Sequence, residues 1–189
     1  MFADLNTFFH VDKDISVVKA VDRGVVLSAK PFNKGHLGFR PEDLLTSEFL
    51  FPIEVFHDQG AEMQGLLDQF KGAAQFVLIE LCADCDHAQD TARTRRYLLG
   101  LEVPSSFISL TQFPANKKLR NKSLQLLGPW SINNEIIYLL VSCAHFWTWQ
   151  ERKPPDQGKV KYRLRASVVN KLLHHYSVWS SRPGVVEFR

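Results

Sequence analysis

The chain has 189 residues, 45% of them hydrophobic and 23% charged, with 14 Phe, 4 Trp and 4 Tyr. That composition excludes a disordered chain and supplies one sizeable core without need of disulfides. A net charge of +3 hides a split: residues 1–90 carry 7 basic and 15 acidic side chains, whereas residues 91–189 carry 16 and 5.

The length fits a single domain over residues 1–189. No apolar run approaches the ~20 residues that span a bilayer, so no membrane partner is expected. The first residues, Met1-Phe-Ala-Asp-Leu-Asn, have neither a basic nor an apolar signal region. Three cysteines, two of them in one C-x-x-C, point to reduced thiols and a cytoplasmic location rather than a secreted disulfide framework.

In chain order, residues 1–14 alternate aromatics and acids without a clean period. Residues 15–28 are rich in β-branched side chains around Asp22-Arg23-Gly24, which predicts two strands and a turn. Pro31 to Gly38 predicts a loop. Pro41-Glu-Asp-Leu-Leu-Thr places a proline and two acids where a short helix starts. Glu48–Phe56, interrupted by Pro52, predicts an edge strand. Met63, Leu66, Leu67 and Phe70 recur at helical spacing. Residues 75–82 form an apolar run of strand formers, the centre of the expected fold.

Tyr97 to Val103 predicts a strand stopped by Pro104, and Ser106–Phe113 a weaker one. Ser123–Leu127 and Glu135–Cys143 predict two strands joined by a long loop through Gly128-Pro129 and Asn133-Asn134. Lys159 to Arg165 alternates basic and apolar residues, a half-buried strand with a basic outer face. Over Ser167–Trp179, Val168, Val169, Leu172, Leu173 and Tyr176 make one apolar helical stripe. His174-His175 on that helix reads as one solvent-facing and one half-buried imidazole. The expected class is therefore α+β: a β-rich, curved antiparallel or barrel-like sheet with short helices and a C-terminal amphipathic helix.

The central run ends in Cys82-Ala-Asp-Cys85-Asp86-His87, and a second strand ends in Cys143-Ala-His145. Cys82, Cys85, His87, Cys143 and His145 offer the nitrogen and sulfur ligands that zinc prefers, should the two strands be neighbours. Apart from that zinc no cofactor is expected. The bland alternative is that these cysteines are small buried residues at strand ends. A nucleophilic arrangement would use Cys85, with His87, His145 or His10 as base and Asp86 to orient it. The deaminase pattern is absent, since no H-x-E precedes the C-x-x-C. There is also no G-x-S-x-G, P-loop or H-E-x-x-H.

The run Leu78 to Gln89, with its strand followed by Cys85-Asp86, resembles a segment of poorly characterised bacterial proteins. Some of those accompany response-regulator receiver domains or occur in defence and signalling loci. The tail, from Leu164 through Asn170 and Tyr176 to Ser181-Arg182-Pro183-Gly184, resembles the end of the same group. The resemblance implies a regulatory or effector module and names no substrate.

Arg95, Arg96, Lys117, Lys118, Arg120 and Lys122, with further basic residues at 152–165, make a candidate nucleic-acid face. Trp147, Trp149 and Tyr162 lie near them as stacking candidates. A small barrel with such a groove would resemble ribonuclease toxins of the MazF/PemK type. The plain alternative is a solvated basic surface. The leading expectation is a non-catalytic intracellular binding or regulatory module acting through a partner protein, followed by nucleic-acid handling and then zinc binding.

Overall fold

A computed structural model describes residues 2–4, 7, 11–12, 23–29, 41–50, 60–82, 95–112, 122–149 and 159–181. Among them, seven strands form one antiparallel sheet: β1 (Val11–Asp12), β2 (Val25–Ser28), β3 (Gln75–Glu80), β4 (Arg95–Pro104), β5 (Leu124–Ile132), β6 (Glu135–Trp149) and β7 (Val160–Leu164). Their order across the sheet is β1-β7-β2-β3-β4-β6-β5. The helices are α1 (Pro41–Leu44), which widens into a π turn over Leu45–Phe49, then α2 (Gly60–Ala73) and α3 (Ala166–Ser180).

Strand alternation splits the apolar residues between two faces. Val77 and Ile79 of β3, Leu98 of β4, Leu139 and Val141 of β6, and Tyr162 and Leu164 of β7 face one side. There they pack on Val168, Val169 and Leu172 of α3. Leu78, Tyr97, Leu99, Leu101 and Leu140 face the other side, under Leu45 and Phe49 of the π turn and Phe70 of α2. A sheet covered on both faces explains why β3 and β4 read as nearly continuous apolar runs.

The sheet is curled into a half-barrel around α3. Trp130 of β5 and Tyr162 of β7 meet edge to face with ring centroids 6.2 Å apart. In a flat sheet of this order the two strands would be separated by five spacings, about 24 Å. The N-terminus lies against both ends of the curl. Thr7 Oγ1 accepts the Ser131 N–H of β5 at 2.7 Å, and Val11 pairs with Leu164 of β7. Four residues reach at most about 14 Å, which sets how far apart those two anchor points stand.

Local chemistry accounts for the junctions. Gly24 opens β2 at φ +79, and a Cβ there would lie 2.5 Å from Leu164 O and 2.8 Å from Val169 Cγ2. Only glycine fits that close approach of β2 to β7 and α3. Asn133 and Asn134 take φ 51 and 65, the left-handed pair that closes a two-residue hairpin.

Four predicted elements differ from the sequence expectation. The predicted edge strand from Glu48 begins instead in the π turn, and of its described residues only Leu50 makes a β bridge, to Thr111. Ser106–Phe113 was expected as a strand, but Ser105–Leu110 is a 3-10 turn. The long loop expected in the β5–β6 hairpin is absent: β5 runs through Gly128-Pro129 as an irregularity between Leu127 and Trp130, and the hairpin turns at Asn133-Asn134. The strand expected to stop before Pro104 includes it as its last residue. The expected strand at 15–22, the loops at 31–38 and 151–158, and the tail after Ser181 lie outside the described residues.

Candidate functional site

The two cysteine motifs diverge in role. Cys82 follows β3 and is buried, and its backbone N–H donates to both carboxylate oxygens of Glu80 at 3.1 Å. Burial first, and Glu80 second, push its thiol up to about 12. A hydrogen bond with the Arg96 backbone, and then the Arg95 charge, oppose that shift. Glu80, Cys82, Arg95 and Tyr97 thus form one buried polar group at the end of β3 and the start of β4. In it the Tyr97 phenol is also raised, by burial and then by Glu80. A thiol pushed up by burial carries little of the thiolate that acts as a nucleophile at neutral pH.

Cys143 and His145 sit in a bulge of β6. Leu98 pairs with Phe146 but its neighbour Leu99 pairs with Ser142, so residues 143–145 are extra on the β6 side. Cys143 is buried, and burial followed by the Glu48 carboxylate raises its thiol to about 11. His145 Nδ1 lies 3.1 Å from Ser142 Oγ and 3.9 Å from Glu48 Oε1. Burial lowers the imidazole, and Glu48 partly offsets that.

Glu48 is the residue that sequence reasoning missed. The π turn brings it onto the sheet, 8% exposed, where it accepts from Ser123 Oγ at 2.7 Å and Ser142 Oγ at 2.5 Å. Ser142 also accepts the Ala144 N–H at 3.2 Å. Glutamate, serine and histidine therefore meet, but with serine between carboxylate and imidazole. In a hydrolytic triad the imidazole stands in the middle and takes the hydroxyl proton. Ser142 is fully buried, so this group anchors the π turn and bulge rather than presenting a nucleophile. Its signal in the sequence is a glutamate set between the apolar pairs Leu44-Leu45 and Phe49-Leu50.

Cys85, Asp86 and His87, the candidate catalytic trio and part of the candidate zinc set, lie outside the described residues, as do His10, Lys117, Lys118 and Arg120. Among the described residues no group of three His, Cys, Asp or Glu side chains is arranged to hold a metal ion. Within the basic set, Arg96 and Lys122 are exposed. Arg95 is buried beside Glu80 and is withdrawn from any phosphate-contacting surface. Tyr162, expected as a stacking ring, is fully buried against Trp130. Arg163 donates from Nε to the Arg23 carbonyl at 3.0 Å, and Lys161 pairs with Glu102.

Beyond the bulge, β4 and β6 continue on the face that carries α3. There Phe146 is 37% exposed and stacks on Tyr176 of α3, centroids 5.1 Å apart and planes 20° from parallel. Leu98 pairs with Phe146 and Arg96 with Thr148, so Arg96 and Phe146 are diagonal neighbours on one face. Arg96 and Thr148 are exposed beside the aromatic pair. No helix among the described residues is long and apolar enough to cross a membrane. Compared with protein-family models, with curated proteins and with solved structures, the chain matches none.

Proposed function

We propose that the protein is a non-catalytic binding module of a regulatory or defence system, and that it engages an acidic partner protein through the Phe146–Tyr176 edge. The observation that carries this reading is the exposed aromatic stack itself. A ring on the surface, backed by a second ring and flanked by Arg96, has the make-up of an interface anchor. The excess of basic over acidic residues in 91–189 favours an acidic partner. The buried, protonated Cys82 and Cys143 support a structural rather than a chemical role for the polar groups behind that edge.

A photo-cross-linking amino acid at position 146 tests this. The expected result is a discrete adduct with an acidic protein from the source cell, competed away by unlabelled wild type and not by Phe146→Ser. Adducts with nucleic acid alone would replace this reading with the nucleic-acid one, and uncompeted adducts would end it.

A further inference from the structure

A cavity of about 180 Å³ lies between β5 and the first two turns of α3. Leu126, Leu127, Trp130 and Val168 give it apolar walls, and Ser167 and Lys171 are its remaining side chains. Leu127, Trp130 and Val168 are buried, whereas Ser167 and Lys171 are exposed. The cavity therefore has an apolar floor and a polar rim. Ser167 and Lys171 stand four residues apart on one helix, which sets both on the same face.

The polar side chains of this cavity can all donate, and among the described residues no carboxylate lines it. Lys171 Nζ and Ser167 Oγ have no hydrogen bond or ion pair among the described residues. Trp130 Nε1, in the buried wall, has no partner there either. α3 adds to the positive field. Its N-cap residue, Arg165, makes no side-chain cap, and the Val168 and Val169 N–H groups open the helix ladder by donating to Arg165 O. The positive end of the helix macrodipole thus stands at the same rim. Apolar walls with a few polar groups at one end are the usual make-up of a small-molecule site.

We propose that this cavity binds a small monocarboxylate whose apolar body is a single ring or a branched aliphatic of similar size. A dry apolar cavity of roughly 150 Å³ accommodates one benzene ring, which sets that size. The body lies on Leu127, Trp130 and Val168, and the carboxylate accepts from Lys171 Nζ and Ser167 Oγ at the rim. An uncharged head forgoes the charge-assisted bond to the ammonium. A dianion such as a phosphate monoester brings a second charge for which the lining holds no second cation, and an uncompensated charge is costly to take from water. The site shares no lining residue with the Phe146–Tyr176 edge, so it does not rest on the partner-binding reading.

The test uses the full ¹⁵N-labelled chain, followed at the backbone amides of Leu127, Gly128, Ser167 and Val168. Benzoate is titrated in, with benzamide, toluene and phenyl phosphate as comparisons. The expected result is a saturable shift of those amides with benzoate, and binding weaker by roughly tenfold or more for each of the other three. Lys171→Ala should weaken benzoate by a similar factor, whereas Lys171→Arg, which keeps the charge, should stay within a few-fold of wild type. Amides unmoved up to the solubility limit of benzoate overturn the proposal. So does benzamide, toluene or phenyl phosphate binding as well as benzoate, and so does a Lys171→Ala chain that binds benzoate as wild type does. Should Lys171→Ala fail to fold, the four-probe comparison on the wild-type chain decides alone.

Discussion

The rings of Trp130 and Tyr162 touch although five strand spacings separate their strands in the sheet order. This contact ties the two ends of the curl together over α3. Both rings are fully buried, and they share a core with Val168, Val169 and Leu172. Trp130→Ala should therefore cost about 3–5 kcal/mol, as large-to-small changes at buried aromatics do. For a chain of this size that corresponds to a fall of roughly 6–20 °C in Tm. Calorimetry of the variant checks it, and a fall of a degree or two would mean the ends are held by something else.

The stripe on α3 makes a paired prediction. Leu172 is fully buried whereas Lys171, one residue away, is exposed. Leu172→Ala should destabilise by about 2–5 kcal/mol. Lys171→Ala should stay within about 0.5 kcal/mol of wild type. Urea titration of both variants distinguishes a core stripe from a docking face, on which Leu172→Ala would leave stability unchanged.

Much of this fold is legible in the sequence where periodicity is strong and unbroken. The period of 3.6 in Met63, Leu66, Leu67 and Phe70, and again along α3, places both helices. The alternation in Lys159 to Leu164 places β7 with Tyr162 and Leu164 inward, and His174 is exposed and His175 half-buried as expected. The misses occur where apolar runs are short and several backbones bury them equally well. Phe107 and Leu110, three apart, suit the 3-10 turn that forms as well as they suit an imperfect strand. Gly128-Pro129 reads as a break, yet β5 absorbs it at an edge where one lost ladder bond is tolerable. The Glu48 cluster was hidden for another reason. Its serines lie 75 and 94 residues away, and no local pattern encodes a contact that only the assembled sheet creates.

Glu48 gives a third prediction. Removing Ser142 Oγ takes a hydroxyl donor from a buried carboxylate. Hydrogen bonds to charged groups are worth about 1.5–3 kcal/mol, so Ser142→Ala should destabilise by about that amount. Ser131→Ala, whose side chain is half-buried on β5, should cost less than about 0.5 kcal/mol. Equal losses in the two variants would deny the cluster its anchoring role.

Alkaline pH supplies a fourth. Cys82 and Cys143 titrate from 9.0 when unperturbed to about 12 and about 11 in the fold, and Tyr97 and Tyr162 are also raised from 10.0. A raised pKa on a neutral acid means the native state holds its proton more tightly than the unfolded chain. The resulting stability is complete below pH 9 and is lost progressively between pH 9 and 12. Stability should fall across that window, and Cys82→Ser should flatten the first part of the decline. In parallel, Cys82 and Cys143 should react with a thiol reagent at pH 8 only after unfolding. Rapid reaction of either in the native state would contradict their burial.

The most direct test of the partner-binding account is Phe146→Ser, read for stability and partner capture in the same preparation. Phe146 is partly solvent-exposed and lies outside the buried core, so its loss should leave Tm within a few degrees of wild type. Capture of the acidic partner should be abolished, while Ile136→Ser, a change at another exposed apolar position, retains it. A Phe146→Ser protein that melts far below wild type yet still captures the partner would contradict the account.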